Sequence, residues 1–161
     1  MNEPQKKVPI TQKGYEDLQK KLAEKKMEFE TMPAIIAQAR EKGDLKENAD
    51  YHAAREKQGM LKAEIDRISG ELTNSQIIDP AILPSDKITF GKRVTLLNAD
   101  NKEITYDIVG PSESDSGKQC ISVTSLLAKG LLGKQAGEVC TVIVPAGTQT
   151  YTIKKIAVLS I

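Results

Sequence analysis

Residues 41–56 read EKGDLKENADYHAARE. A glycine and two acids three residues apart, Asp44 and Glu47, stand here between two long runs of apolar residues. Before them, Leu18, Leu22, Lys25, Phe29, Met32, Ile36 and Ala39 recur at alternating steps of four and three. After them, Tyr51, Ala54, Gln58, Leu61, Ile65, Ile68 and Leu72 recur at steps of three and four. This is the a/d seam of helices that pack side by side, with Lys25 and Gln58 as single polar breaks. Gly43 supplies a helix stop of the C′ kind, and helices joined by so few residues must run antiparallel. Each run covers about 30 residues, so at ~1.5 Å per residue the hairpin is roughly 45 Å long. A two-helix hairpin has little core of its own, and one this long is expected to protrude as a stalk.

Thr11 precedes the first run and suits an N-cap, with Ile10 before it as a hydrophobic staple on the first turn. Pro33 breaks the pattern by removing a helix hydrogen bond. The period continues past it, which predicts one kinked helix rather than two.

The second half changes character. Residues 1–75 carry 14 basic and 14 acidic side chains, whereas residues 76–161 carry 9 and 8. NSQIIDPAILPSDK, with Pro80 and Pro84, reads as a linker over 76–87. Beyond it, ITFGKRVTLL and EITYDIVG alternate as strands about NADNK, a hairpin signal. QCISVTS is a further strand, SLLAKGLLGKQAG a short helix, and EVCTVIVP and TQTYTIKKIAV a second hairpin about Pro145-Ala146-Gly147. The fold class expected is α+β: a helical hairpin over 1–75, a linker over 76–87, and a small antiparallel sheet with one short helix over 88–161.

Composition narrows the function. The 161 residues carry 23 basic and 22 acidic side chains, a formal net charge of +1. Such a balance gives no global field for nucleic acid or membrane, and any contact with nucleic acid must come from a local patch. Two Phe, four Tyr and no Trp leave little for base stacking. Sequence-specific DNA readout has no support. Cys120 and Cys140 form no C-x-x-C pair and read as buried apolar residues in a reducing compartment. With neither a signal peptide nor an apolar run long enough to span a bilayer, the chain reads as soluble and cytosolic.

Asp44 and Glu47 admit two readings. As N-cap and N3 of the second helix they form a capping box, with their charges at the favourable end of the helix dipole. Spacing alone favours this reading. Alternatively, both carboxylates point outward and bind a divalent cation. Mg²⁺ takes oxygen ligands and is often held by one or two carboxylates together with water and phosphate. Two acids make an incomplete site, so the remaining ligands would come from a partner, in a two-metal site completed in trans.

AREKGDLKENADYHAARE, residues 39–56, resembles the signature of the bacterial GreA/GreB transcript cleavage factors, and LKENADYHAARE is closer to GreA than to GreB. SQIID, FGKRVTLLN, ISVTSLLAKGLLGK and GEVCTVIVP resemble the same family, so the likeness covers nearly the whole chain. It implies an N-terminal antiparallel coiled coil and a C-terminal domain similar to the FK506-binding proteins. It implies that this globular domain docks at the rim of the RNA polymerase secondary channel, and that the coiled coil enters the channel. Asp44 and Glu47, by match to the family's two acids, would help hold the second Mg²⁺ and its attacking water at the polymerase active centre. Backtracked RNA would then be hydrolysed at its 3′ end and elongation resume. The nuclease activity would belong to the polymerase, and no cofactor would be bound by the chain alone.

The same resemblance makes Arg40, Asn48 and Arg55 contacts to RNA or polymerase near the tip, with an ion pair to Glu41 or Glu56 as the plain alternative for the arginines. Tyr51 lies on the seam and reads as mainly structural, and His52, the lone histidine, as surface or packing. Ser125 and Lys129 fall in the segment that matches the polymerase-binding surface. Leu126 stands where many relatives have proline, a departure at that docking contact. The leucines Leu126, Leu127, Leu131 and Leu132 read as a buried helix face. Three rival functions remain. A prolyl isomerase would need an aromatic-lined pocket, for which this half offers Phe90, Tyr106 and Tyr151. A channel-binding inhibitor would not promote cleavage. A coiled-coil adaptor would not depend on its tip acids.

Overall fold

In the computed structural model, which describes residues 7–159, the two heptad runs become two helices. Strand β1 (Val8–Ile10) leads into α1 (Gln12–Arg40), and α2 (Ala49–Thr73) leads into β2 (Ser75–Ile77). Thr11 is the N-cap foreseen: its Oγ1 accepts from the Gly14 N–H at 3.0 Å, and its carbonyl takes the first helical bond from the Tyr15 N–H. Helix α1 passes through Pro33 without ending. Every seam position from Leu18 to Ala39 and from Tyr51 to Leu72 is buried or half-buried. Met32, Ile36, Ala54 and Leu61 form the central cluster, with Phe29 and Tyr51 against it. The polar breaks do not face each other as a pair. Lys25 reaches Glu64 at 3.1 Å, and one turn further along Lys57 reaches Glu28 at 2.7 Å, so ion pairs flank the seam on its solvent side.

The chain then forms β3 (Lys92–Leu97), β4 (Glu103–Val109), β5 (Cys120–Ser122), α3 (Leu126–Leu131), β6 (Val139–Val144) and β7 (Gly147–Val158). These strands make one sheet in the order β5-β4-β3-β7-β6. Val94, Leu96, Ile108, Val142, Tyr151 and Ile153 bury one face of it together with Ala128 and Leu131 of α3. Both foreseen hairpins are present. Val144 pairs with Gly147 across a two-residue turn, and φ of +125° at Gly147 suits glycine there.

Three expectations need correction. The sheet is mixed, not wholly antiparallel: β4 and β5 run parallel, as do β1 and β2. Strands of three residues are too short for alternation to reveal their partners. The first hairpin strand starts at Lys92, not at Ile88. Gly91 turns the chain at φ +79° with Pro80 filling the space of its missing Cβ, and the Ile88 N–H is given to the Lys134 carbonyl instead of a strand. The compact units keep a division at residue 75 but differ at the N-terminal side: among the described residues, those up to Tyr15 join those from Ser75 onward, and the other unit is Glu16–Asn74. The β1–β2 ladder, Val8 to Ser75 through Ile10 to Ile77, is what draws the N-terminal segment into the globular unit.

Candidate functional site

The loop between α1 and α2 holds Asp44 and Glu47, and the capping-box reading of these acids fails there. Helix α2 begins at Ala49, and its N-cap is Asn48, whose Oδ1 accepts from the Tyr51 N–H at 3.0 Å. The Asn48 Nδ2 donates to the Ala39 carbonyl at 2.6 Å, closing an orphan carbonyl at the end of α1. One buried side chain therefore ties the end of one helix to the start of the next. Asn48 was expected to contact RNA or polymerase. It is 8% exposed, and both ends of its amide are engaged within the loop.

Neither acid therefore caps α2. Both are exposed. The Asp44 Oδ1 accepts from the Lys46 N–H at 3.3 Å, and its carbonyl from the Glu47 N–H at 3.2 Å, so the loop closes around Asp44 as a turn. The Glu47 carboxylate has no hydrogen-bond or ion-pair partner among the described residues. Gly43 sits just before, at φ +152°, a conformation that favours glycine although open space surrounds it. Helix α1 has already ended at Arg40, so Gly43 aims the loop more than it stops the helix.

An open hollow lies at this end, lined by Lys42, Gly43, Asp44, Glu47, Asn48, Ala49 and Asp50. Lys42 Nζ pairs with the Asp50 carboxylate at 3.2 Å across it. No three acidic, His or Cys side chains converge into a metal site among the described residues. The donor set fits a hard cation by chemistry, because two exposed carboxylates present free oxygens. It falls short by number, so the cation would be shared with other ligands.

Arg40 and Arg55 are both exposed. The Arg40 guanidinium lies 5.6 Å from the Tyr51 ring centroid, a cation–π distance, and the His52 ring meets the Tyr51 ring edge-on at 5.6 Å. The aromatic on the seam thus presents the arginine, a pairing that periodicity could not indicate. In the globular unit, Ser125 is the N-cap of α3, accepting from the Ala128 N–H at 3.2 Å, while Lys129 is exposed. The four leucines do not share one buried face. Leu131 is fully buried and Leu127 half-buried, but Leu126 is 58% exposed and Leu132 36%. Phe90 and Tyr151 are buried among the core side chains.

Two family models match end to end: the N-terminal model of the transcription elongation factors over residues 8–77, and the C-terminal GreA/GreB model over 83–158. The chain belongs to the GreA/GreB family of transcription elongation factors. It is 44% identical over 153 residues to the transcription elongation factor GreA of Alkalilimnicola ehrlichii, covering 93% of this chain and 97% of that one. It is 45% identical over 147 residues to the GreA of Maridesulfovibrio salexigens, covering 91% and 92%. Among solved structures, the GreA factor homolog 1 of Thermus thermophilus is similar over 94% of this chain and 99% of that one, at 23% identity and a TM-score of 0.44. As in the sequence expectation, a Gre-family helical hairpin is followed by a β domain. No helix among the described residues is long and apolar enough to cross a membrane.

Proposed function

We propose that this Gre-family factor acts by lending Asp44 and Glu47 to RNA polymerase. The hairpin enters the secondary channel, and the two carboxylates complete a Mg²⁺ site that the polymerase half-supplies. The observation that carries this reading is the loop's division of labour. Asn48 does the capping, which leaves both acids exposed, Glu47 without a partner among the described residues and Asp44 bonded through one oxygen to the Lys46 N–H. Mg²⁺, when bound, activates a water and neutralises charge on the phosphate under attack. The residues of this chain contribute position. The Asn48 bonds hold the loop, the Asp44 turn fixes one carboxylate, and Arg40, backed by Tyr51, offers a cation to RNA phosphate. Water adds at phosphorus near the RNA 3′ end, the upstream 3′ oxygen leaves, and a new 3′ end returns to the active centre. The hydrolysis is the polymerase's own, and the factor stimulates it. The globular unit, with Lys129 and the exposed Leu126, is the docking part.

The test is RNA 3′-end cleavage by a stalled, backtracked polymerase with no factor, with this protein, and with its Asp44→Asn/Glu47→Gln variant. Stimulation by the parent and none by the variant is expected, with the helical circular dichroism of the two superimposable. Equal stimulation by both would sink the metal role. Binding to polymerase without stimulation by either would replace this reading with a channel-binding inhibitor.

A further inference from the structure

The sheet of the globular unit has two edges of different kinds. β5 forms one with only three residues, Cys120–Ser122. β6 forms the other, and its run Val139–Val144, VCTVIV, carries no charge. The turn into β7 fixes which backbone groups of β6 are used. Val144 pairs with Gly147, and the register runs unbroken back to Val139 opposite Thr152. Just before it, the Glu138 carbonyl accepts from the Ile153 N–H at 2.9 Å. Residues that bond to the partner strand alternate with residues that do not along an antiparallel pair. Cys140, Val142 and Val144 therefore turn their N–H and C=O groups to β7. Those of Val139, Thr141 and Ile143 point off the edge, and no backbone bond among the described residues takes them. The side chains of these three lie on the open face of the sheet. Val139 is 56% exposed and Ile143 77%, whereas Cys140 and Val142 are buried on the other face. Proteins blunt such an edge with charge, proline or a bulge. Here Glu138 and Pro145 bound the run, and neither stands inside it.

We propose that β6 is a self-association edge: two copies of this chain pair their β6 strands antiparallel about Thr141, joining two five-stranded sheets into one. The register follows from the groups left over. A two-fold axis at Thr141 sets Thr141 opposite its own copy, and Val139 opposite Ile143 of the second copy on either side. Every residue that points off the edge then meets one that does the same, and each such pair exchanges two N–H to C=O bonds. The side chains agree with the backbone. Val139 and Ile143 make apolar cross-strand pairs, and Glu138 falls opposite Val144, so no like charges meet. A second copy is the occupant these observations select, because the run is complementary to itself in both respects. The arrangement also closes. Pairing uses up the one long free edge of each copy, which gives a dimer and not a fibre. A strand this short buries less than about 1,200 Å², the range of weak, reversible complexes. The dimer therefore forms as concentration rises, and the monomer prevails when the protein is dilute.

Sedimentation equilibrium of the full chain, from about 10 µM to about 1 mM, reads the association. The parent is compared with Thr141→Lys, with Thr141→Glu, and with an equal mixture of the two. Thr141 is exposed, so both variants should keep the parent's circular dichroism and unfolding midpoint. The parent should pass from monomer towards dimer across the range. Each variant alone sets like charges directly opposite and should associate about fivefold more weakly. The mixture sets opposite charges face to face and should recover the parent's association or exceed it. In the parent at high concentration, hydrogen exchange should slow at the Val139, Thr141 and Ile143 amides and stay as it was at Cys140 and Val142, which β7 already holds. If a substitution disturbs the fold, this exchange pattern in the parent decides the matter. A parent still monomeric at the highest concentration would overturn the proposal; loss of polymerase binding by Thr141→Lys would then assign the edge to the polymerase instead. Association that the single variants retain, or that their mixture does not recover, would overturn the pairing about Thr141 and the proposal with it.

Discussion

Replacing Asn48 by Ala should damage the hairpin far more than replacing either acid beside it. The side chain provides two things. As the cap of α2 it satisfies the Tyr51 N–H, and Asn→Ala at an N-cap costs about 1 kcal/mol. Through Nδ2 it satisfies the Ala39 carbonyl in a buried bond of 2.6 Å, worth a further ~1 kcal/mol. The two bonds join the ends of different helices, so the loss of about 2 kcal/mol falls on hairpin closure as well as on helix propensity. In a chain of this size that lowers the midpoint of the helical melting transition by roughly 4–8 °C. Asp44→Ala removes a single exposed bond to the Lys46 N–H and should cost at most about 0.5 kcal/mol, and Glu47→Ala no more. The assay is thermal and urea unfolding followed at 222 nm for the three variants. If Asp44→Ala cost about 1 kcal/mol and Asn48→Ala nothing, the cap would be where spacing first put it. Asp44 would then be a structural cap and not free for chemistry.

Two further outcomes are expected. Lys92 is fully buried, and its Nζ has no hydrogen-bond partner among the described residues, so Lys92→Met should raise the stability of the β domain by about 1 kcal/mol or more; a lower unfolding midpoint would contradict this. Glu28 titrates below the ordinary glutamate value, first because Lys57 donates a hydrogen bond to it and then through the charge of Lys57. A depressed carboxylate stabilises the fold above its unfolded pKa, and that contribution is lost as pH falls through the lowered value. Carboxyl carbon shifts should therefore show Glu28 titrating low in the parent and rising in Lys57→Ala; an unmoved midpoint would remove Lys57 as the cause.

The helical hairpin was legible because its signal is local and repeated. Every seam residue from Leu18 to Leu72 lies where the steps of three and four put it, since burial on a helix follows from a period of 3.6. The cap was misread because D-x-x-E satisfies the capping rule as well as N-x-x-Y does, and spacing does not say where the backbone turns into a helix. The leucines around α3 were misread for a related reason. A helix of six residues buries too narrow a stripe for four neighbouring leucines, and Leu126 and Leu132 at its ends point out.

What the sequence determined by itself was the two helices, the two β-hairpins, the family, and the pair of acids set apart at the turn. All of these depend on neighbours within a few residues or on a run of matched residues. What only the tertiary structure decided was which polar groups satisfy one another over long separations. The β1–β2 ladder joins residues 8–10 to 75–77, Asn48 bonds Ala39, and Glu113 gathers Thr11 and Gly110. The physical reason is that buried polar groups must find partners wherever the chain brings them. No period or propensity along the chain records where such a partner will come from.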